Sequence, residues 1–129
     1  MVPPYTILMT SRASVGYFGI CEHEVCTNQG FISCVPYEDN VRYFLLYNLM
    51  NRVEEIRQKA SGSTFLEISK KSFREFKIIL PDTNLLEMFN KVIILYIKQI
   101  EISVKKMSQL LQVRERLLPK LMSREIEIK

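Results

Sequence analysis

The chain has 129 residues, 47% hydrophobic and 25% charged, which is ordinary globular usage and excludes wholesale disorder. Its net charge of +4 splits into +1 over residues 1–80 (nine Lys/Arg, eight Asp/Glu) and +3 over 81–129 (nine against six), a balance that permits a polyanionic partner without requiring one. Three cysteines set no disulfide framework, and the longest apolar run, Val92 to Ile97, is far below the ~20 residues of a membrane span, so a cytoplasmic, reduced protein with no membrane partner is expected.

Tyr5 to Met9 and Tyr17 to Cys21 are expected as strands, with Arg12 to Gly16 turning between them. Phe31 to Val35 is a third, ended by Pro36, which has no N–H to give a ladder. Glu38 to Lys59 has helical spacing at Phe44, Leu45, Leu49, Val53 and Ile56, with Asp39 or Asn40 as its N-cap. Ala60 to Thr64 breaks that helix. Ile68 to Phe73 is expected as a short helical turn, and Phe76 to Leu80 as a closing strand before Pro81.

From Asp82 the texture becomes one long helix, capped by Asp82, Thr83 or Asn84 and free of Gly and Pro until Pro119. Ile93, Ile100, Met107, Arg114 and Leu121 fall in one heptad column, and Ile97, Val104, Leu111 and Leu118 in the other. All but Arg114 are apolar, which makes a coiled-coil seam. About 35 residues at ~1.5 Å rise make a rod of roughly 50 Å. The residues before it are too few to bury such a rod, so the seam calls for another helix, from a second copy, another part of the same polypeptide, or a partner. The fold class expected is α+β, a mixed α/β portion over 1–81 and a long coiled-coil-forming helix over 82–129.

Candidate chemistry is sparse. Cys21, His23, Cys26 and Cys34 have metal-ligand types, but four and seven residues intervene between successive cysteines where zinc favours close pairs. They are read as apolar-site fillers, and no metal or other cofactor is expected. His23 with Cys26 lacks a third, orienting member. The pairs Glu22/Glu24 and Glu54/Glu55 read as surface charge. No phosphate-binding glycine loop or nucleophile elbow occurs, so no catalytic residue is assigned.

The polar loops are more informative. Thr10-Ser11-Arg12, Asn28-Gln29-Gly30 and Ser61-Gly62-Ser63-Thr64 are rich in donors. Arg suits guanine edges, Asn and Gln suit adenine, and hydroxyls suit phosphates. Lys70, Lys71 and Arg74 form a basic patch able to follow a phosphate backbone. Such residues also build ordinary turns.

Four segments together carry a resemblance: ILMTSRASVGYFGI, TNQGFISCVP, KASGSTFLEISKKSFREFKIILP and LLQVRERLLPKLMSREIEI. In order and spacing they resemble the C-terminal half of a target recognition domain from type I restriction-modification specificity subunits, followed by the end of its spacer helix. The resemblance implies a non-catalytic subunit that grips double-stranded DNA and reads half of a split site. Spacer helices of the family pair antiparallel and dock the modification subunits. The implied partners are therefore DNA, a modification (methyltransferase) subunit, the restriction subunit through the complex, and a second specificity half or a homodimer through the helix. Arg12, Asn28, Gln29, Ser63, Thr64, Lys70 and Lys71 become the DNA-contact candidates. The alternative is a scaffold that does not bind DNA and oligomerises through the helix. A complete specificity subunit of this kind has two recognition domains and two spacer helices, where this chain has one helix. It also departs at Arg124, where family members often carry a helix-ending glycine, and at Arg114, whose charge in the seam would set register or meet a partner carboxylate.

Overall fold

The computed structural model describes residues 1–126; the last residues of the expected helical region, 127–129, lie outside the described residues. The chain divides into two compact units, Met1–Asn90 and Lys91–Lys129.

The first unit is built on β1 (Ile7–Thr10), β2 (Phe18–Ile20) and β3 (Phe31–Cys34). They form an antiparallel sheet in the order β2-β1-β3, with Met9 opposite Phe18 on one side and Ile32 on the other. The expected Arg12–Gly16 turn joins β1 to β2. It needs its glycine: Gly16 sits at φ +89°, and a Cβ there would fall 2.4 Å from Val53 Cγ2.

Helices cover the sheet. A 3-10 turn at Asp39–Val41 leads into α1 (Arg42–Asn51) and then α2 (Val53–Gln58). The expected single helix is thus divided at Arg52, whose φ of −105° and ψ of +20° leave the helical range. Its guanidinium donates to the Lys77 carbonyl at 2.9 Å and to Glu55 at 2.7 Å, tying the break to a segment 25 residues away. Neither Asp39 nor Asn40 caps by its side chain, and the Asp39 carboxylate pairs with Arg42 instead.

Met9, Val15, Ile32, Leu49, Ile56 and Ile68 close the core, each contributing ~1.5–3 kcal/mol by burial. The short helix α3 (Lys70–Arg74) follows, with Ser69 accepting from the Ser72 N–H as N-cap. Phe76 to Leu80 is not a strand. Phe76 and Ile78 pack on the core while Ile79 is 89% exposed, so burial alternates with period two. Among the described residues this backbone joins no ladder, and the Lys77 carbonyl accepts from Arg52 instead. Burial, not sheet pairing, produces the alternation here.

The long helix α4 spans Thr83–Met122. Of the three candidate caps Asp82 serves, accepting from the Leu85 N–H at 2.9 Å. Its first turns belong to the first unit: Leu86 and Asn90 are buried, Asn90 donates to the Asn40 carbonyl, and Phe89 meets Phe44 edge-on at 6.3 Å. At the far end the helix stops at Met122 without a glycine. Arg124 takes φ +58°, its N–H donates to Leu121 at 3.2 Å, and that of Glu125 donates to Lys120 at 3.0 Å. This is a Schellman cap made by an arginine in the left-handed region.

Candidate functional site

Three loops converge beyond the end of β1. The first, Thr10 to Gly16, leaves the strand, and Thr10 folds it back: its Oγ1 bonds the Ser14 carbonyl and accepts from the Tyr17 N–H. The second, Asn28 to Phe31, enters β3 and is tied to the first by a 2.8 Å bond from the Ser11 N–H to the Gly30 carbonyl. The third, Ser61 to Glu67, is closed by reciprocal 2.9 Å backbone bonds between those two residues. It is stitched to the first by Ala13 N–H to the Leu66 carbonyl at 2.8 Å and Ile68 N–H to the Ser11 carbonyl at 2.9 Å.

This convergence brings Arg12 and Asn28 to one recess of about 400 Å³, shared with Thr10, Ala13, Gly30, Phe31 and Phe65. The Arg12 guanidinium lies 3.8 Å from the Glu67 carboxylate, both side chains 48% exposed. An ion pair so open to water contributes only about 0–1 kcal/mol, so Arg12 can exchange that partner at little cost. Asn28 Oδ1 accepts from the Gly30 N–H at 2.9 Å. The side chain therefore serves its own turn, while its amide donors and one further lone pair stay open. Gln29, Ser63 and Thr64 are exposed on the same two loops.

Lys70 belongs to a second recess of about 460 Å³, with Arg74, Thr27 and Ser33 among its walls. The Thr27–Phe31 segment contributes to both recesses. Lys71 is exposed on α3 beside Lys70. Among the described residues none of Lys70, Lys71 and Arg74 is in an ion pair, so three cations are left for an external anion. Sequence reasoning placed Arg74 in the basic patch but passed over Phe65 and Leu66, which are 59% and 49% exposed. The available signal was an apolar pair directly after a Ser-Gly-Ser-Thr turn.

The cysteines are free thiols. Burial pushes the Cys34 thiol up to about 11, so it stays neutral near pH 7 and is a poor nucleophile or ligand. Cys21 Sγ lies 3.5 Å from the Thr6 carbonyl, as its donor.

In the second unit the seam residues Ile100, Val104, Met107, Leu111 and Leu118 are all exposed, while Ile93, Ile97 and Leu121 are half-buried. Arg114 donates to the neighbouring Glu115. Sequence reasoning missed a third column, Tyr96, Ser103, Leu110 and Leu117, which runs beside the seam and is likewise open at its three large residues. Three columns are the breadth of a helix packed in a bundle; a two-stranded coil needs two. No described helix is long and apolar enough to cross a membrane.

Residues 1–113 match the family model described as the type I restriction modification DNA specificity domain. The chain is 36% identical over 81 residues to the type I restriction enzyme MjaIX specificity subunit of Methanocaldococcus jannaschii, covering 61% of this chain and 19% of that protein. It is 27% identical over 129 residues to the type I restriction enzyme HindI specificity subunit of Haemophilus influenzae, covering 97% of this chain and 28% of that protein. The chain thus spans less than a third of the length of these relatives.

Proposed function

The chain belongs to the family of type I restriction-modification DNA specificity domains, and on that premise we propose that it supplies part of the sequence recognition of such a system and one of its assembly helices. Residues 1–81 act as the C-terminal portion of a DNA target recognition domain, and 82–129 as the spacer helix. The convergence of three donor-rich loops on one recess carries this reading. Arg12, Asn28 and Gln29 meet base edges, Ser63 and Thr64 meet the sugar-phosphate backbone, and Lys70, Lys71 and Arg74 follow the phosphates from the adjoining recess.

The helix pairs through its heptad seam with the equivalent helix of a second specificity half or a second copy of this chain. The added width of its apolar face suits a further neighbour, the modification subunit, and the restriction subunit joins through that complex. The chain is non-catalytic in this account: methyl transfer and cleavage belong to the partner subunits, in the cytoplasm. The scaffold alternative uses the same helix but gives no role to Lys70, Lys71 and Arg74, none of which is in an ion pair among the described residues, or to the recess that Arg12 and Asn28 share.

Salt titration of duplex binding separates the two. DNA affinity should fall linearly on a log–log scale with added salt, because bound lysines release counterions. Lys70→Ala with Lys71→Ala should weaken binding and lower that slope by about two, one per lost phosphate contact. Absence of duplex binding, or binding indifferent to salt, would overturn the reading.

A further inference from the structure

We propose that Phe65, with Leu66 beside it on the 61–67 loop, is an apolar wedge that opens a base step of bound duplex DNA; this rests on the DNA reading above. The loop presents large hydrophobic side chains where turn chemistry favours polar ones. Both are about half exposed or more, and neither belongs to the core cluster. An aromatic ring held in water forgoes the gain that burial would give it.

The loop is also fixed. The loop base is closed by the Ser61–Glu67 pair of backbone bonds, and its flank is held by the bonds from Ala13 to Leu66 and from Ile68 to Ser11. Gly62 lies at φ +143°, and a Cβ there would fall 2.1 Å from the Phe65 carbonyl oxygen. The chain folds back on Phe65 so tightly that glycine alone fits. A side chain carried on so constrained a backbone loses little freedom when it inserts, which is what a wedge requires.

The surroundings select the ligand. Arg12 and Asn28 share the recess with the Phe65 ring, and the exposed Ser63 and Thr64 hydroxyls precede it. An apolar side chain that shares its recess with a guanidinium and a carboxamide, on a loop with exposed hydroxyls, matches an opened base step: the ring meets base faces while the polar groups meet base edges and phosphates. A protein groove is a poorer match, since docking there would desolvate Arg12 beside a weak partner, Glu67. Inserting an apolar side chain partly unstacks the step and kinks the duplex.

The experiment reads affinity and bending together. Duplexes captured by the parent chain from a random-sequence pool carry a donor and an acceptor dye at opposite ends. The parent should shorten the end-to-end distance. Phe65→Ala should weaken binding about tenfold, the scale of one lost aromatic–base contact, and relax the bend. Phe65→Leu should keep most of both, because leucine also wedges. Lys70→Ala with Lys71→Ala should weaken binding yet leave the remaining complexes bent. If the alanine variant fails to fold, Phe65→Gln supplies the same comparison. A parent complex with straight DNA, or a Phe65→Ala complex that binds and bends like the parent, overturns the wedge and leaves the DNA reading standing. A Phe65→Ala variant that keeps DNA binding and bending but no longer retains a co-expressed modification subunit assigns the loop to a protein interface and also overturns it. Capture of no duplex by the parent overturns both.

Discussion

The two units treat their apolar residues in opposite ways. In Met1–Asn90 the chain supplies its own partners: Ile7, Met9 and Ile56 are completely buried. In the second unit Met107 is 58% exposed and Leu111 44%, although the helix carries apolar side chains at every position of two heptad columns except Arg114. Hydrophobic content alone does not make a core. A three-stranded sheet with helices across it closes upon itself, whereas a single helix presents a stripe that only another element can cover. The first unit therefore carries its loops on a core of its own, and the second leaves an apolar stripe open to solvent.

The largest expected effect falls on that stripe, which the proposed helix pairing would cover. Leu111→Glu should sharply weaken self-association or pairing with a second specificity half, because a carboxylate must then be desolvated in an apolar seam, which costs several kcal/mol. Sedimentation at matched concentration checks this. Because Leu111 is open to solvent in the single chain, the first unit should melt as before, and undiminished association would remove Leu111 from the interface. The converse change lies in the core: Ile56→Ala should cost ~2–5 kcal/mol of folding stability, seen as a lowered melting temperature. A parent-like melt would mean that the first unit does not depend on its own core.

Much of this contrast was legible in the sequence. The three strands, the Arg12–Gly16 turn and the long helix follow from alternation, turn residues and heptads, which are local signals. The break at Arg52 is not legible, since the partner that holds its side chain, Lys77, lies 25 residues away. The segment from Phe76 to Ile78 alternates like a strand yet pairs with none, because period-two burial reports which side chains face the core and not whether a ladder exists. For the candidate site, residue type nominates Arg12 and Asn28, while their meeting in one recess follows loop-to-loop backbone bonds that no sequence pattern encodes. The exposure of Phe65 is not legible from residue type, because an aromatic side chain in a loop is as readily expected in the core as in solvent.

Two smaller effects sharpen the comparison at its edges. Arg124→Gly should stabilise the end of α4 by about 1 kcal/mol, since glycine takes the left-handed cap without a Cβ penalty. Hydrogen exchange at the Glu125 amide, bonded to Lys120, would slow accordingly; unchanged or faster exchange would argue against this cap. In the first unit, the exposed Cys26 should alkylate well before Cys34, a lag that denaturant removes. The raised Cys34 value also sets a direction with pH. The folded form retains its proton from about 9 to about 11 while the unfolded thiol loses it, so this group's contribution to stability is complete below about 9 and declines as pH climbs through that window. Denaturant melts at pH 8 and pH 10 read it, and a Cys34→Ala variant that declines equally would assign the loss elsewhere.

The most direct test of DNA recognition by the loop-bearing unit is sequence selection. The parent chain, incubated with random-sequence duplexes at moderate salt and sequenced over successive rounds of capture, should enrich a short common motif. Arg12→Ala or Asn28→Ala should relax that motif at individual positions, while Leu111→Glu should leave its base preferences intact. Enrichment of no motif, with duplexes retained in proportion to the starting pool, would contradict the account.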